Sequence, residues 1–148
     1  MKIYMDVCCL NRPFDDLSQD RVYHEAEAIL SIISRCEKGI WTLIASGVIE
    51  YELSNTTNED RLEQVKSLYV SATERIALTE QAEKRAAYFQ DNGIKTLDSL
   101  HLAAAEISNA DVFLTTDDRF LRKAKLLDLQ ITAANPLSWL MEVMKDER

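Results

Sequence analysis

The apolar residues of this chain alternate between short continuous runs and longer stripes at helical spacing. Residues 2–6 form a short run typical of a buried strand, and residues 40–45 form a second one, rich in β-branched and aromatic side chains. Between them, from about residue 20 to residue 38, an amphipathic helix is predicted. Its apolar face consists of Val22, Ala26, Ile29, Ile33 and Cys36. Gly39 is expected to end this helix.

The middle of the chain is predicted to be mostly helical. Ser46 is expected to cap a short helix that carries Glu52. Two further helical patterns cover about residues 59–72 and 80–91, and the strand-like sequence RIAL separates them. Gly93 is expected to stop the second of these helices.

The last third of the chain returns to alternating helix and strand. Thr96 is expected to cap a helix that ends at Asn109, after which DVFLT forms a strand. A helix DRFLRKAKLL, a last strand LQITA and a helix that begins after Pro136 follow. This order favours an α/β fold, a three-layer α/β/α sandwich whose central sheet is mostly parallel.

Length and composition favour one domain over residues 1–148. The 148 residues are 47% hydrophobic, enough for a substantial core, and three glycines and two prolines leave little room for a linker. No apolar run approaches the ~20 residues that span a bilayer, so we expect a cytoplasmic protein. The three cysteines form no CxxC motif and are expected to be reduced.

The net charge narrows the classes of function. With 25 acidic and 17 basic residues, the formal charge is −8. A protein that coats DNA or RNA needs clustered lysines and arginines, so that class is disfavoured. A nuclease is compatible with this charge, because an acidic metal site concentrates negative charge locally.

Four carboxylates stand where apolar runs end or helical patterns begin. They are Asp6, Glu52, Asp98 and Asp117. Ligands of an α/β sheet bind beyond the carboxyl ends of its strands, so these acids are expected to share one pocket. Hard divalent cations select carboxylate oxygens, which makes the pocket a candidate metal site.

Each acid also has a purely structural interpretation. Asp6 can cap the turn that follows it, and Asp98 can be an ordinary first-turn acid at a helix N-terminus. His101 falls one helical turn after Asp98, near the predicted pocket, where a packed or hydrogen-bonded histidine is favoured over a general base. Because these structural roles are also open, the residue pattern alone makes the metal site a hypothesis.

Two of the acids have competing neighbours. Asp118 competes with Asp117, and Glu50 competes with Glu52; two residues apart on a helix, the glutamates cannot share a face. Spacing from Ser46 favours Glu52, and the Thr-x-Asp pattern favours Asp117. Asp118 and Glu50 remain the alternatives.

A second group of polar residues flanks the acids and is a candidate for substrate binding. The group is Asn11, Arg12, Thr115 and Arg119. Arginine at such a position can bind a phosphate through two hydrogen bonds, although helices often carry exposed arginine and lysine without such a role.

Four segments carry a resemblance to a known family. They are DVCCLN at residues 6–11, the helix from Ser46 through Glu52 and Leu53, LDSLHLAAA at residues 97–105, and TTDDRF at residues 115–120. In this order they resemble the motifs of PIN-domain ribonucleases of the VapC toxin type, over nearly the whole chain. One departure is Cys8, where a hydroxyl residue is frequent in the family.

The resemblance implies more than the residues alone establish. It implies a PIN-like sandwich in which Asp6, Glu52, Asp98 and Asp117 bind Mg²⁺ or Mn²⁺. It also implies endonucleolytic cleavage of RNA by the toxin of a type II toxin–antitoxin pair, under the control of a cognate antitoxin. The alternative is a catalytically silent PIN-like module that binds RNA or a protein.

A homodimer is a further expectation, because small domains often bury an apolar helix face by two-fold symmetry. The terminal WLMEVM segment, residues 139–144, is a candidate contact. The same side chains can instead close the core, which is the favoured interpretation.

Overall fold

Five short strands form one sheet at the centre of the molecule. The computed structural model describes residues 1–146. The strands are β1 (Lys2–Met5), β2 (Thr42–Ser46), β3 (Glu74–Ile76), β4 (Val112–Leu114) and β5 (Thr132–Ala134). Their order is β3-β2-β1-β4-β5, and every neighbouring pair is parallel. The predicted α/β fold is therefore confirmed.

Helices cover both faces of this sheet. They are α1 (Val7–Asn11), α2 (Asp20–Glu37), α3 (Gly47–Ser54), α4 (Glu59–Tyr69), α5 (Glu80–Asp91), α6 (Thr96–Ile107), α7 (Asp118–Lys125) and α8 (Pro136–Asp146), with a 3-10 turn at Arg12–Phe14. The strand order reverses after β3, and right-handed crossovers then place the later helices on the opposite face. Across residues 1–146, no helix is both long and apolar enough to cross a membrane.

Residues with positive φ end three of the helices where the sequence predicted an end. Gly39, after α2, has φ +77°, and Gly93, after α5, has φ +93°. Asn109, after α6, has φ 58°, a conformation that asparagine tolerates better than most residues. These positions turn the chain back towards the sheet.

The predicted cap of α6 is wrong by one residue. Lys95 is the N-cap, with extended backbone angles and no side-chain cap, and its carbonyl accepts the hydrogen bond from the Ser99 amide at 2.8 Å. Thr96 is the first helical residue, and its hydroxyl accepts a hydrogen bond from the Gln90 side chain at 2.7 Å instead. The threonine is engaged by α5 and is not free to cap.

The central strand is buried from its second residue onwards and fixes the register of the sheet. Ile3, Tyr4 and Met5 have no exposed surface, and β1 pairs with β2 on one side and β4 on the other. The Tyr4 ring stacks on Phe113 of β4, with centroids 5.6 Å apart. Because all strands are parallel, residues that follow β1, β2 and β4 emerge at the same edge.

Helix α8 closes the core on the face that carries α2. Trp139 packs edge-to-face on Trp41, with ring centroids 5.2 Å apart. Leu140, Val143 and Met144 are also partly buried against the core, while Met141 is 64% exposed. The packing thus supports the favoured interpretation, in which the terminal apolar segment closes the core.

An ion pair between a half-buried arginine and a buried glutamate ties α5 to α6. Arg85 Nε donates to Glu106 Oε1 at 2.6 Å and Nη2 donates to Oε2 at 3.2 Å, while the glutamate side chain is only 2% exposed. Glu106 also accepts from the Gln130 amide, and Arg85 also donates to the Asp128 carbonyl. The guanidinium lies 4.7 Å from the centroid of the Phe89 ring. This cluster joins two helices to the loop before β5.

Candidate active site

The four predicted acids lie at or near the carboxyl edge of the sheet. Asp6 follows β1 and is the N-cap of α1, while Glu52 lies in α3, which follows β2. Asp98 is in the first turn of α6, and Asp117 follows β4 as the N-cap of α7. Strand and helix ends therefore present acids from four distant parts of the sequence.

Two of these acids lie close to each other and to a histidine. One ligand atom from each of Asp6, Glu52 and His101 lies within 4.8 Å of the other two. Asp6 is buried and Glu52 is half-buried, so the pair stands at the inner end of the cluster. The two carboxylates are close enough to share one cation.

Asp6 is held in place by residues of β4 and α1. Its backbone amide donates to the Leu114 carbonyl at 2.9 Å, and its Oδ2 accepts from Thr115 Oγ1 at 2.9 Å. Oδ2 also accepts from the Cys8 thiol at 3.3 Å, one of three free cysteines in the described chain. Burial raises the pKa of Asp6 well above its ordinary value, and the neighbouring Cys8 raises that pKa further.

The two competing glutamates of α3 have different surroundings. Glu50 receives two hydrogen bonds from Arg75, at 2.7 and 3.2 Å, and one from the Tyr69 hydroxyl at 2.8 Å. Glu52 Oε1 instead lies 2.9 Å from His101 Nε2. Glu50 is thus neutralised by an arginine on the far side of the helix, while Glu52 faces Asp6.

A chain of buried hydrogen bonds leads from Glu52 into the core. His101 Nδ1 lies 2.8 Å from the Tyr4 hydroxyl, and that hydroxyl lies 2.7 Å from Ser46 Oγ. Ser46 Oγ accepts from the Ile49 amide at 3.1 Å, which confirms the predicted cap of α3. His101, Tyr4 and Ser46 are all buried.

For a neutral His101, these contacts assign the proton to Nε2. Burial raises the pKa of Tyr4 well above its ordinary value, so the phenol keeps its proton and can donate to Nδ1. Ser46 then donates to Tyr4, and His101 donates from Nε2 to the Glu52 carboxylate. If Nδ1 carried the proton instead, the lone pair of Nε2 would face the Glu52 carboxylate, and the two would repel each other. This chain of hydrogen bonds therefore orients the Nε2–H group of His101 towards Glu52.

The other two acids line one side of a small cleft. Asp98 and Asp117 share its wall with Ile94 and Phe120. Burial raises the pKa of Asp98, and the negative charge of Asp117 raises it further. Glu52 acts on the same pKa in the same direction. The cleft therefore continues the acidic cluster that begins at Asp6.

Asp117 and Asp118 differ in the partners they hold. Asp117 Oδ1 accepts from the Phe120 amide at 3.1 Å, so it does cap α7. Asp118 receives two hydrogen bonds from Arg21, both at 2.6 Å, and this arginine lowers the pKa of Asp118. Asp118 is therefore engaged outside the cleft, while Asp117 lines it.

Asn11 and Arg12, predicted to bind substrate, are engaged within the protein. Asn11 donates to the Val7 carbonyl and accepts from Arg61 at 3.2 Å. Arg12 Nη1 binds Asp15 at 3.3 Å, and its Nε lies 3.1 Å from Glu25 Oε1 without the angle of a hydrogen bond. A phosphate would have to compete with these contacts.

Thr115 and Arg119, the other two predicted substrate ligands, have different settings. The Thr115 hydroxyl donates to Asp6 and accepts from the Asp117 amide at 3.1 Å, so this threonine connects two acids. Arg119 is exposed and lines the cleft beside Asp98 and Asp117.

Sequence analysis did not identify Tyr4 as part of the site, nor Lys95 among the residues of the cleft. A signal for Tyr4 was present, because it lies two positions before Asp6 and a strand places alternate residues on one face. Lys95 carries no such signal, since only the packing of α6 beside α7 brings it to the cleft.

Comparisons with known proteins bear on the family and the fold of this chain. Residues 3–126 match the family described as the PIN domain. Among solved structures, 22 chains match, and one belongs to the crystal structure of VapBC2 from Rickettsia felis bound to a DNA fragment from their promoter. That chain is 13% identical with a TM-score of 0.61, over 91% of this chain and 98% of the other. A search of curated proteins returned no match.

Proposed function

Since the chain belongs to the PIN domain family, we propose that it is a divalent-metal-dependent endoribonuclease, the toxin of a type II toxin–antitoxin pair. The proposed site consists of Asp6, Glu52, Asp98 and Asp117. The proposed reaction is hydrolysis of RNA phosphodiester bonds.

One observation carries the proposal: within the described residues, the four acids at this edge of the sheet lack the arginine partners that their neighbours Glu50 and Asp118 hold. Within residues 1–146, no lysine or arginine forms an ion pair with any of them, whereas the adjacent Glu50 and Asp118 each hold an arginine. A buried carboxylate such as Asp6 is costly unless a cation or hydrogen bonds stabilise it. Family membership supports a metal ion as that cation.

The donors fit a hard divalent ion. Asp6, Glu52, Asp98 and Asp117 offer only carboxylate oxygens, the ligands that Mg²⁺ and Mn²⁺ prefer. Once bound, such an ion would lower the pKa of a water molecule and neutralise charge that develops on the phosphate. The raised pKa values of Asp6 and Asp98 add a proton-release step to binding.

The chain's own residues position these donors. Thr115 holds one oxygen of Asp6 and leaves the other for a cation. His101 directs Glu52 towards Asp6, and Tyr4 keeps the histidine in the required orientation. Metal-ligating carboxylates are commonly oriented by such neighbours.

The proposed partners follow from the family and from the fold. The likeness to a chain of VapBC2 supports a cognate antitoxin as a partner, and we place the pair in the cytoplasm. A homodimer is also proposed, with the exposed side of α8, where Met141 is 64% exposed, as the candidate contact.

Metal removal provides the direct test. Purified protein, free of partners, is expected to cleave at least one member of a panel of single-stranded and structured RNAs with Mg²⁺ or Mn²⁺, and excess EDTA is expected to abolish cleavage. Gel electrophoresis of end-labelled RNA measures the products. Well-folded protein that cleaves no RNA in the panel, or that cleaves equally in EDTA, would contradict the proposal.

His101 should affect metal binding through Glu52. His101→Asn removes the donor to Glu52, and is expected to weaken Mn²⁺ binding and slow cleavage by about 10-fold. His101→Gln places an amide N–H near the position of Nε2 and is expected to recover most of both. Calorimetric titration with Mn²⁺ and single-turnover cleavage measure the effects, with circular dichroism as the control for folding. Equal behaviour of the two variants would exclude this role.

A further inference from the structure

The arginines of this protein divide into two groups by their partners. Eight lie within residues 1–146, and six of them donate hydrogen bonds to acids, backbone carbonyls or side chains. Those six are Arg12, Arg21, Arg35, Arg61, Arg75 and Arg85. Within the described chain, Arg119 and Arg122 hold no such partner, and both are on the exposed side of α7.

One of these two arginines, Arg119, lies beside the acids of the cleft. Arg119, Lys95 and Lys123 line the same cleft as Asp98 and Asp117, and all three basic residues are exposed. Lys123 Nζ donates to the Gly93 carbonyl at 3.2 Å, which keeps it at the cleft rim. In a chain of net charge −8, three exposed basic side chains thus lie next to the cleft that holds Asp98 and Asp117.

We propose that Lys95, Arg119 and Lys123 form a basic wall that binds the phosphodiester backbone of an RNA strand next to the cleaved bond. The inference rests on the proposed function, because the acids define where the cleaved phosphate lies.

The basic wall offsets the repulsion between the acidic site and the RNA backbone. Four clustered carboxylates repel a polyanion, and a bound divalent ion offsets only part of their charge. The basic side chains at the rim of the cleft restore attraction for the phosphates on one side of the reacting group. Arg119 and Lys123 are one helical turn apart, about 6 Å along the axis, which suits neighbouring phosphates of one strand.

The test measures RNA affinity without cleavage. Fluorescence anisotropy of a labelled 12-nucleotide single strand is recorded in EDTA over a series of KCl concentrations, with all variants built on Asp6→Asn. Arg119→Ala with Lys123→Ala is expected to raise the Kd about 10-fold. It should also lower the slope of log Kd against log salt by about 1.4, since each phosphate contact on a single strand contributes roughly 0.7.

Two matched variants serve as controls. Lys38→Ala with Lys84→Ala removes the same charge from exposed positions that do not line the cleft, and should change Kd by less than about threefold. Arg119→Lys with Lys123→Arg keeps the charge and should keep most of the affinity. Thermal unfolding verifies that each variant is folded.

The outcomes separate this inference from the proposed function. Equal Kd and salt slope in the wall variant and the Lys38, Lys84 control would overturn the wall, whether or not the protein cleaves RNA. A wild-type protein that binds RNA through the wall but never cleaves with metal would overturn the nuclease, leave the wall intact and favour a silent RNA-binding module.

Discussion

Asparagine in place of Asp6 is expected to reduce metal-dependent RNA cleavage by at least about 100-fold, because it removes the most buried carboxylate of the cluster. Asparagine keeps the size of the side chain and an oxygen that can accept from Thr115, so the loss is one of charge. Asp98→Asn is expected to act in the same direction.

The same substitution should stabilise the metal-free protein. Burial raises the folded-state pKa of Asp6, so the folded chain binds this proton more strongly than the unfolded chain does. The contribution of Asp6 to stability is therefore fully present below its unfolded pKa of about 3.9 and is lost as pH rises through the folded value. Asparagine avoids this loss, and a gain of about 1 kcal/mol at pH 7 is expected.

Three measurements check the Asp6 prediction. Initial rates with Mg²⁺ give the loss of activity, and thermal unfolding in EDTA should show a Tm increase of about 2–4 °C. Added Mn²⁺ should raise the Tm of the wild type but not of the variant. Asp118→Asn is the control, since Asp118 is paired with Arg21 outside the cleft, and should keep activity within about threefold. Full activity of Asp6→Asn would remove Asp6 from the site.

Alanine in place of Arg85 is expected to lower the free energy of unfolding by about 3 kcal/mol, the largest effect on stability that we predict. The change leaves the Glu106 carboxylate buried without its cation, and the desolvation of that charge is no longer offset. It also removes the contact with the Asp128 carbonyl and the stacking over Phe89. A loss of this size is a large fraction of the ~5–15 kcal/mol that stabilises a typical domain.

Urea unfolding at pH 7 measures the Arg85 effect against two controls. Arg75→Ala breaks the exposed pair with Glu50 and should cost less than about 1 kcal/mol. Arg85→Met combined with Glu106→Leu removes both charges and should recover most of the stability. A double variant that is no more stable than Arg85→Ala would show that packing, and not the unpaired charge, is responsible.

Much of the fold could be predicted because it depends on local patterns. The apolar helical stripe before Gly39, the apolar run KIYM and the cap at Ser46 each depend only on residues that are close in sequence. The error at Thr96 has a tertiary cause: Gln90 of α5 engages its hydroxyl, and nothing in the residues around Thr96 indicates that contact.

The positions of the acids could be predicted, but their partners could not. Asp6 and Asp117 follow strands that the pattern identifies, and parallel strands bring such residues to one edge. Which of Glu50 and Glu52 holds an arginine depends on β3, which supplies Arg75 from a separate strand. Whether those acids bind metal stays a prediction.

The same limit applies to the basic residues. Arg12 follows the first acid closely, which suggests a role at the substrate, yet it lies against Glu25 of α2. Arg119 stands in a similar relation to Asp117 and has no partner in the described chain. Sequence proximity to an acid does not separate these two cases, because the competing carboxylates come from other elements.

The central place of β1 means that the site depends on segments far apart in the order of synthesis. The groups that fix the amide and carboxylate of Asp6, Leu114 and Thr115, are translated more than a hundred residues after it. A nascent chain, or a product truncated before β4, carries three of the four acids without the strand that aligns the first. The assembled acid cluster can therefore exist in a cell only after β4 and the residues that follow it have been translated.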